Sequence, residues 1–174
     1  MLAHSHGQVW NAVGPAGSLG VSEHTVRRYL DIFSGVFMMR QLQPWHANVK
    51  KRQVKSPKIY IRDTGILHTL LGLKTESDIL GSPRCGASWE GFVIEEILRS
   101  VDPDEAYFWA THNGAEIDLV FIKKGCMYGV ECKRADAPAM TPSMRIALED
   151  LKLERIAVIY PGRQRYEVSK NVTA

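Results

Sequence analysis

Residues 117–133, IDLVFIKKGCMYGVECK, constrain the fold more than any other part of this chain. An apolar run rich in β-branched and aromatic residues ends at Lys123, Lys124 and Gly125, and a second apolar run follows. The segment reads as a strand, a tight turn and a returning strand. Two carboxylates and a lysine interrupt these otherwise apolar strands: Asp118 on the first, Glu131 and Lys133 on the second. Side chains alternate faces along a strand, so Glu131 and Lys133 point one way and Cys132 the other. The hairpin brings Asp118 beside them. Two carboxylates and a lysine on one spot suit a hard divalent cation with an activated water. The plain alternative is a cross-strand surface ion pair worth about 0.5 kcal/mol, but isolated acids inside apolar strands are costly unless paired or metal-bound. Glu116 shares the strand face of Asp118, where it either orients the site, binds a second ion or lies solvated at the hairpin mouth.

At 174 residues and 45% hydrophobic composition, the chain holds one ordinary domain or two small ones. A net charge of +3 and a pI of about 8.8 permit nucleic-acid binding without demanding it. Cys85, Cys126 and Cys132 have no metal-type spacing and cannot all pair, which points to a reduced intracellular compartment. The N-terminus lacks a signal-peptide pattern and no apolar run approaches membrane length, so the expectation is a cytoplasmic protein with no membrane partner. The glycine-rich GPAGSLG lacks the lysine of a phosphate loop, so no ATPase motor is expected within these residues. His4, His6, His46, His68 and His112 show no zinc-like clustering.

Residues 74–86, rich in Ser, Gly and Pro, break the patterns on both sides and divide the chain into residues 1–78 and 79–174. The first half opens with an expected helix over residues 2–12. Ser22 then caps a helix in which Val26, Tyr29, Leu30 and Phe33 recur at helical spacing and define one apolar face. With a turn through Gly20 this is a helix-turn-helix. The strand-like VFMMRQLQPW is followed by a basic stretch, Lys50, Lys51, Arg52, Lys55 and Lys58, the last of which also opens the returning strand KIYIR. A helix-turn-helix followed by a basic-tipped hairpin is a winged helix, closed here by a helix from residue 64. His24, Arg27 and Arg28 lie opposite the apolar stripe, as in a recognition helix entering a DNA major groove. The acid-free basic stretch suits a wing gripping phosphates. The alternative is a solvated face on a protein-docking module.

The second half reads as helix (87–100), strands (106–110, 116–122 and 127–133), helix (142–152) and strand (155–160). Asn113-Gly114 marks a hairpin turn, and Thr141-Pro142 is a helix start. In the first of these helices the apolar face centres between Trp89, Val93 and Ile97. Glu90 lies at its edge, whereas Glu95 is nearly opposite. Glu90 is therefore the glutamate placed to look into the sheet, or else a helix-start acid favoured by the macrodipole.

This order of elements, with these residues, resembles the PD-(D/E)XK nuclease superfamily. The resemblance maps the family's motifs onto Glu90 on the first helix, Asp118 on the second strand and Glu131-Cys132-Lys133 on the third. Ile117 stands where a proline often precedes the aspartate. It implies Mg²⁺ or Mn²⁺ held by Asp118, Glu131 and the backbone carbonyl of Cys132, Lys133 beside the attacking water, and Glu90 supporting a second ion or the water. More widely, HGQVWN, LGVSEHTVRRYLDIF, PWHANVKKRQVKSPKIYIRDTGILHTLLG, WEGFVIEEIL, THNGAEIDLVF, ECKRADAP and ALEDL are similar to the C-terminal region of a family of bacterial and archaeal AAA-type ATPases. That similarity spans nearly the whole chain. It implies an ATPase domain as partner, connected where Met1 falls, and hence a truncated form or fragment.

The expected fold is α/β: an N-terminal winged helix-turn-helix, then a restriction-endonuclease-like αβββαβ core. The expected function is metal-dependent hydrolysis of DNA phosphodiesters. Two alternatives stand beside it: the same fold without turnover, as a DNA- or protein-binding tail of the ATPase, and a winged-helix transcription regulator whose second half dimerises or senses.

Overall fold

A computed structural model describes residues 1–45 and 56–174. The chain is a mixed α/β protein with two sheets. It divides into two compact units, one of residues 1–42 and 56–92, the other, among described residues, of 43–45 and 93–174. The basic residues Lys50, Lys51, Arg52 and Lys55 lie outside the described residues.

In the first unit a 3-10 turn, Leu2–Ser5, and a short strand β1 (Gln8–Val9) replace the helix that the sequence predicts over residues 2–12. Gly7 is the reason: its φ of 72° is left-handed and ends helical winding. The backbone then turns to a sheet, Gly7 N–H donating to Ile59 O and Trp10 N–H to Pro57 O. The first α-helix is instead α1 (Val13–Leu19), where the Asn11 side chain accepts the Val13 N–H at 2.9 Å. Gly20, at φ 64°, stops it.

Helix α2 (Glu23–Gly35) starts at Ser22, whose hydroxyl accepts the Thr25 N–H at 3.1 Å. Only half of its predicted apolar face is used. Val26 and Leu30 are buried, but Tyr29 and Phe33 are 51% and 38% exposed and, with Ile32 and Val36, form an uncovered stripe. The elements against it, seven-residue α1 and the four-residue strand β2 (Met39–Leu42), are too short to cover a wider face. Strand β3 (Lys58–Ile61) lies between β1 and β2, antiparallel to both, and all four of its residues are buried. Helix α3 (Thr64–Leu70) is capped by Asp63. Helix α4 (Glu76–Gly81) occupies what the sequence reads as a linker. Thr75 and Asp78 start it with a reciprocal capping box, a local signal that the Ser/Gly/Pro content of the segment masks. Helix α5 (Cys85–Val101) follows.

The second unit is built on a six-stranded sheet. Strands β4 (Glu105–Ala110), β5 (Glu116–Lys123) and β6 (Cys126–Cys132) form an antiparallel meander. Helix α6 (Pro142–Leu151) crosses over to β7 (Arg155–Ile159), which runs parallel to β6. Thr141 caps α6, accepting the Met144 N–H at 3.3 Å, and the helix buries Met144, Ala147 and Leu151 in a core with Ile117, Val120 and Ile156. A hairpin of β8 (Glu167–Ser169) and β9 (Val172–Thr173) extends the sheet, giving the order β4-β5-β6-β7-β9-β8. Three- and two-residue strands are too short to show an alternation in sequence.

The β5–β6 loop is two residues long, with Lys124 at φ 51° and Gly125 at φ 77°, the two left-handed positions of a hairpin turn. A lysine there carries a steric cost of about 1 kcal/mol. Lys124→Asn is therefore expected to stabilise the protein by about 0.5–1 kcal/mol, read as a higher denaturation midpoint at unchanged slope.

None of the three cysteines is in a disulfide, and among the described residues no helix is long and apolar enough to cross a membrane.

Candidate functional site

Two irregularities meet at Asp118. Between β4 and β5 the pairing passes from Tyr107↔Val120 to Trp109↔Ile117, so two steps on β4 match three on β5. The extra residue makes a β-bulge at residues 118–119. Between β5 and β6 the last pair toward this end is Leu119↔Val130. Beyond it β5 is held only by β4, and β6 only by β7, through Glu131↔Val158 and Cys132↔Ile159. The two strands part there, and a side chain takes over from the ladder: Asp118 Oδ2 accepts the Cys132 N–H at 2.7 Å. Asp118 and Glu131 each stand one residue past the last β5–β6 pair.

Glu131 is 5% exposed. Its Oε1 lies 2.5 Å from Lys133 Nζ, whose side chain is 40% exposed. A buried carboxylate is tolerated because this ammonium stands against it. Burial works to lower the Lys133 pKa and is the largest single influence. The hydrogen bond and charge of Glu131, then the charge of Asp118, outweigh it and raise the pKa above the usual lysine value. Lys133 is therefore a permanent cation at neutral pH and unsuited to act as a base.

The structure thus brings together Asp118, Glu131, Cys132 and Lys133. Among the described residues no three His, Cys, Asp or Glu side chains gather into a metal-holding group. The available donors are two carboxylates and the Cys132 backbone carbonyl. These are hard oxygens, the donor set of Mg²⁺ and Mn²⁺ rather than of Zn²⁺. Cys132 is half-buried where it ends β6 at the opened strand pair. Glu116, half-buried, begins β5 opposite Ala110.

Glu90 belongs to the first unit. Its Oε1 accepts hydrogen bonds from Lys58 Nζ at 3.0 Å and from Tyr60 Oη at 2.6 Å. This overturns the reading of Lys58 as part of a phosphate-gripping wing: it is 5% exposed and ion-paired with Glu90. The apolar periodicity of β3 gave no sign that a lysine would be buried in it. His24, Arg27 and Arg28 are exposed on α2. Arg27 lies 3.6 Å from Glu23 and stacks its guanidinium 5.8 Å from the Trp10 ring centre.

The sequence analysis also passed over His6, which is 1% exposed. Its Nδ1 accepts the Ile61 N–H at 2.9 Å, leaving Nε2 to donate to Ala87 O at 3.1 Å. The imidazole is held neutral. Burial drives its pKa down to about 4, aided by the charges of His68 and Arg84 and opposed by the Ala87 hydrogen bond. Gly91 makes the ring's seat, since a β-carbon there would lie 2.5 Å from His6 Nε2.

Residues 1–77 match a domain of unknown function, DUF8612. Residues 85–174, more than half the chain, match a second domain of unknown function, DUF4143. Uncharacterized proteins of Mycobacterium tuberculosis and Mycobacterium bovis are each 48% identical over all 174 residues. The chain spans 40% of the length of these curated relatives. No solved structure matches. The chain belongs to the DUF4143 family.

Proposed function

We propose that this member of the DUF4143 family is a metal-dependent DNA endonuclease: a PD-(D/E)XK-type core preceded by a winged helix that binds DNA. The observation that carries the reading is the parting of β5 and β6, at which Asp118, Glu131 and Lys133 meet. An ordinary surface ion pair needs neither a bulge nor a broken ladder, whereas a site that admits a phosphate and an ion needs an opening in the sheet.

Asp118 and Glu131 would hold Mg²⁺ or Mn²⁺, with the Cys132 carbonyl as a further oxygen ligand. When bound, the ion supplies a Lewis acid for the scissile phosphate and lowers the pKa of a coordinated water. Lys133, kept charged by its neighbours, places a positive charge where the attacked phosphate gains negative charge, and favours hydroxide over water beside it. The Cys132 N–H fixes the orientation of the Asp118 carboxylate. On this reading α2, with His24, Arg27 and Arg28, approaches DNA from the first unit. The remainder of the longer relatives would carry the nucleotide-binding domain that the family resemblance implies.

The test is a cleavage assay on duplex, single-stranded and branched DNA with Mg²⁺ or Mn²⁺, beside EDTA controls. Cutting is expected with either metal and in neither EDTA control, and Glu131→Gln should fail with both metals. Equal cutting by wild type and Glu131→Gln would assign the activity to a contaminant and end the proposal.

A further inference from the structure

The metal centre leaves one built feature of the second unit unexplained. A cavity of about 360 Å³ lies along β7 and β9 and beneath the loop that follows β7. Its floor includes Ala157 and Ile159 of β7 and Thr173 of β9, the latter paired with Ala157. These side chains point away from the face on which Ile156 and Val158 pack with α6. Three arginines line it, Arg155 on the strand and Arg163 and Arg165 on the loop, and no carboxylate side chain does. None of the three is salt-bridged to a described residue. Lys58 and Lys133, by contrast, are engaged by Glu90 and Glu131.

The loop that presents Arg163 and Arg165 is shaped in advance. Tyr160 Oη donates to the Gln164 carbonyl, and the Tyr160 ring stands edge-on to Tyr166 with centres 6.0 Å apart. Gly162 passes so close over the Tyr160 ring that any β-carbon there would overlap it. The backbone is thus wrapped around one aromatic ring, and the two guanidinium groups are displayed from a fixed path. Guanidinium is the side chain best matched to phosphate oxygens. The cavity's strand also pairs with the strand of the proposed metal centre, the Ile159 carbonyl accepting the Lys133 N–H at 3.0 Å, while Glu131, paired with Val158, takes the opposite face of the sheet.

We propose that the Arg155–Arg163–Arg165 cavity binds the phosphodiester backbone of a nucleic-acid strand. The choice of ligand rests on the nuclease reading; the cavity's charge and shape do not.

The test measures binding of fluorescein-labelled DNA, single-stranded and duplex, by anisotropy in EDTA across a potassium chloride series. Replacing Arg155, Arg163 and Arg165 together by Gln is expected to flatten the log–log salt slope by up to about 2.1 on single strands and about 2.7 on duplex. Replacing all three by Lys keeps the charge and should keep the slope. Arg163→Gln alone, the mildest change, should lower it by about 0.7 to 0.9. An unchanged slope in the Gln variants, or an equal fall in the Lys variant, overturns the inference. So does a mononucleotide that competes as well as an oligonucleotide, which would mark a small-anion site. Slope changes as expected, with no cleavage by any protein, would uphold the cavity and reject the nuclease reading alone.

Discussion

Asp118→Asn is expected to abolish Mn²⁺ binding and to reduce DNA cleavage on the order of 10³-fold or more, about 4 kcal/mol of transition-state stabilisation. The fold should survive. Asp118 accepts one backbone N–H, from Cys132 at 2.7 Å, and the asparagine carbonyl can accept the same bond. What the amide cannot supply is the second negative charge beside Glu131. Calorimetric titration with Mn²⁺ separates the two effects: the variant should melt like wild type and show no binding heat. Wild-type Mn²⁺ affinity in Asp118→Asn would place the ion elsewhere. Lys133 gives an internal check. Its raised pKa depends partly on Asp118, so the variant's ammonium should titrate at lower pH than the wild-type one.

The largest stability effect is expected from acid, through His6. In the folded chain this imidazole stays neutral down to about pH 4, whereas in the unfolded chain it protonates near 6.5. Between those values the unfolded state binds the extra proton. Stability is therefore fully present above about pH 6.5 and is lost as pH falls toward 4, by roughly 3 kcal/mol at pH 4 from this group alone. Replacement by Gln, which keeps donor and acceptor but does not titrate, should lower stability at pH 7 and flatten the acid limb. Denaturant unfolding at pH 7, 5.5 and 4 reads the difference. Parallel acid limbs in wild type and His6→Gln would mean that other groups set the acid sensitivity. An imidazole NMR titration of His6 gives the folded midpoint directly.

Much of the second unit was legible before any tertiary contact was known. The two-residue turn at Lys124-Gly125, the Thr141-Pro142 helix start and the apolar alternation around Asp118 and Glu131 each use only neighbours in sequence, and each has its counterpart in the structure. The same kind of signal misled in the first unit. Apolar spacing put Tyr29 and Phe33 on a buried face, yet burial depends on a partner long enough to cover them, and α1 and β2 are not. Composition hid α4, whose cap is two specific side chains rather than an average.

What the sequence determined by itself is local: caps, turns, strand alternation, and the placing of Glu131 and Lys133 on one face of one strand. What only the tertiary structure decided depends on which distant segments meet. The bulge and the parting of β5 from β6, which free Asp118 for the Cys132 N–H, arise from three strands pairing at once. The tie between Glu90 and β3 joins residues some thirty positions apart, and the seat of His6 joins residues 81 apart. No window of sequence contains such pairs. Their energies come from desolvation and hydrogen bonding between groups that become neighbours only when the chain has folded.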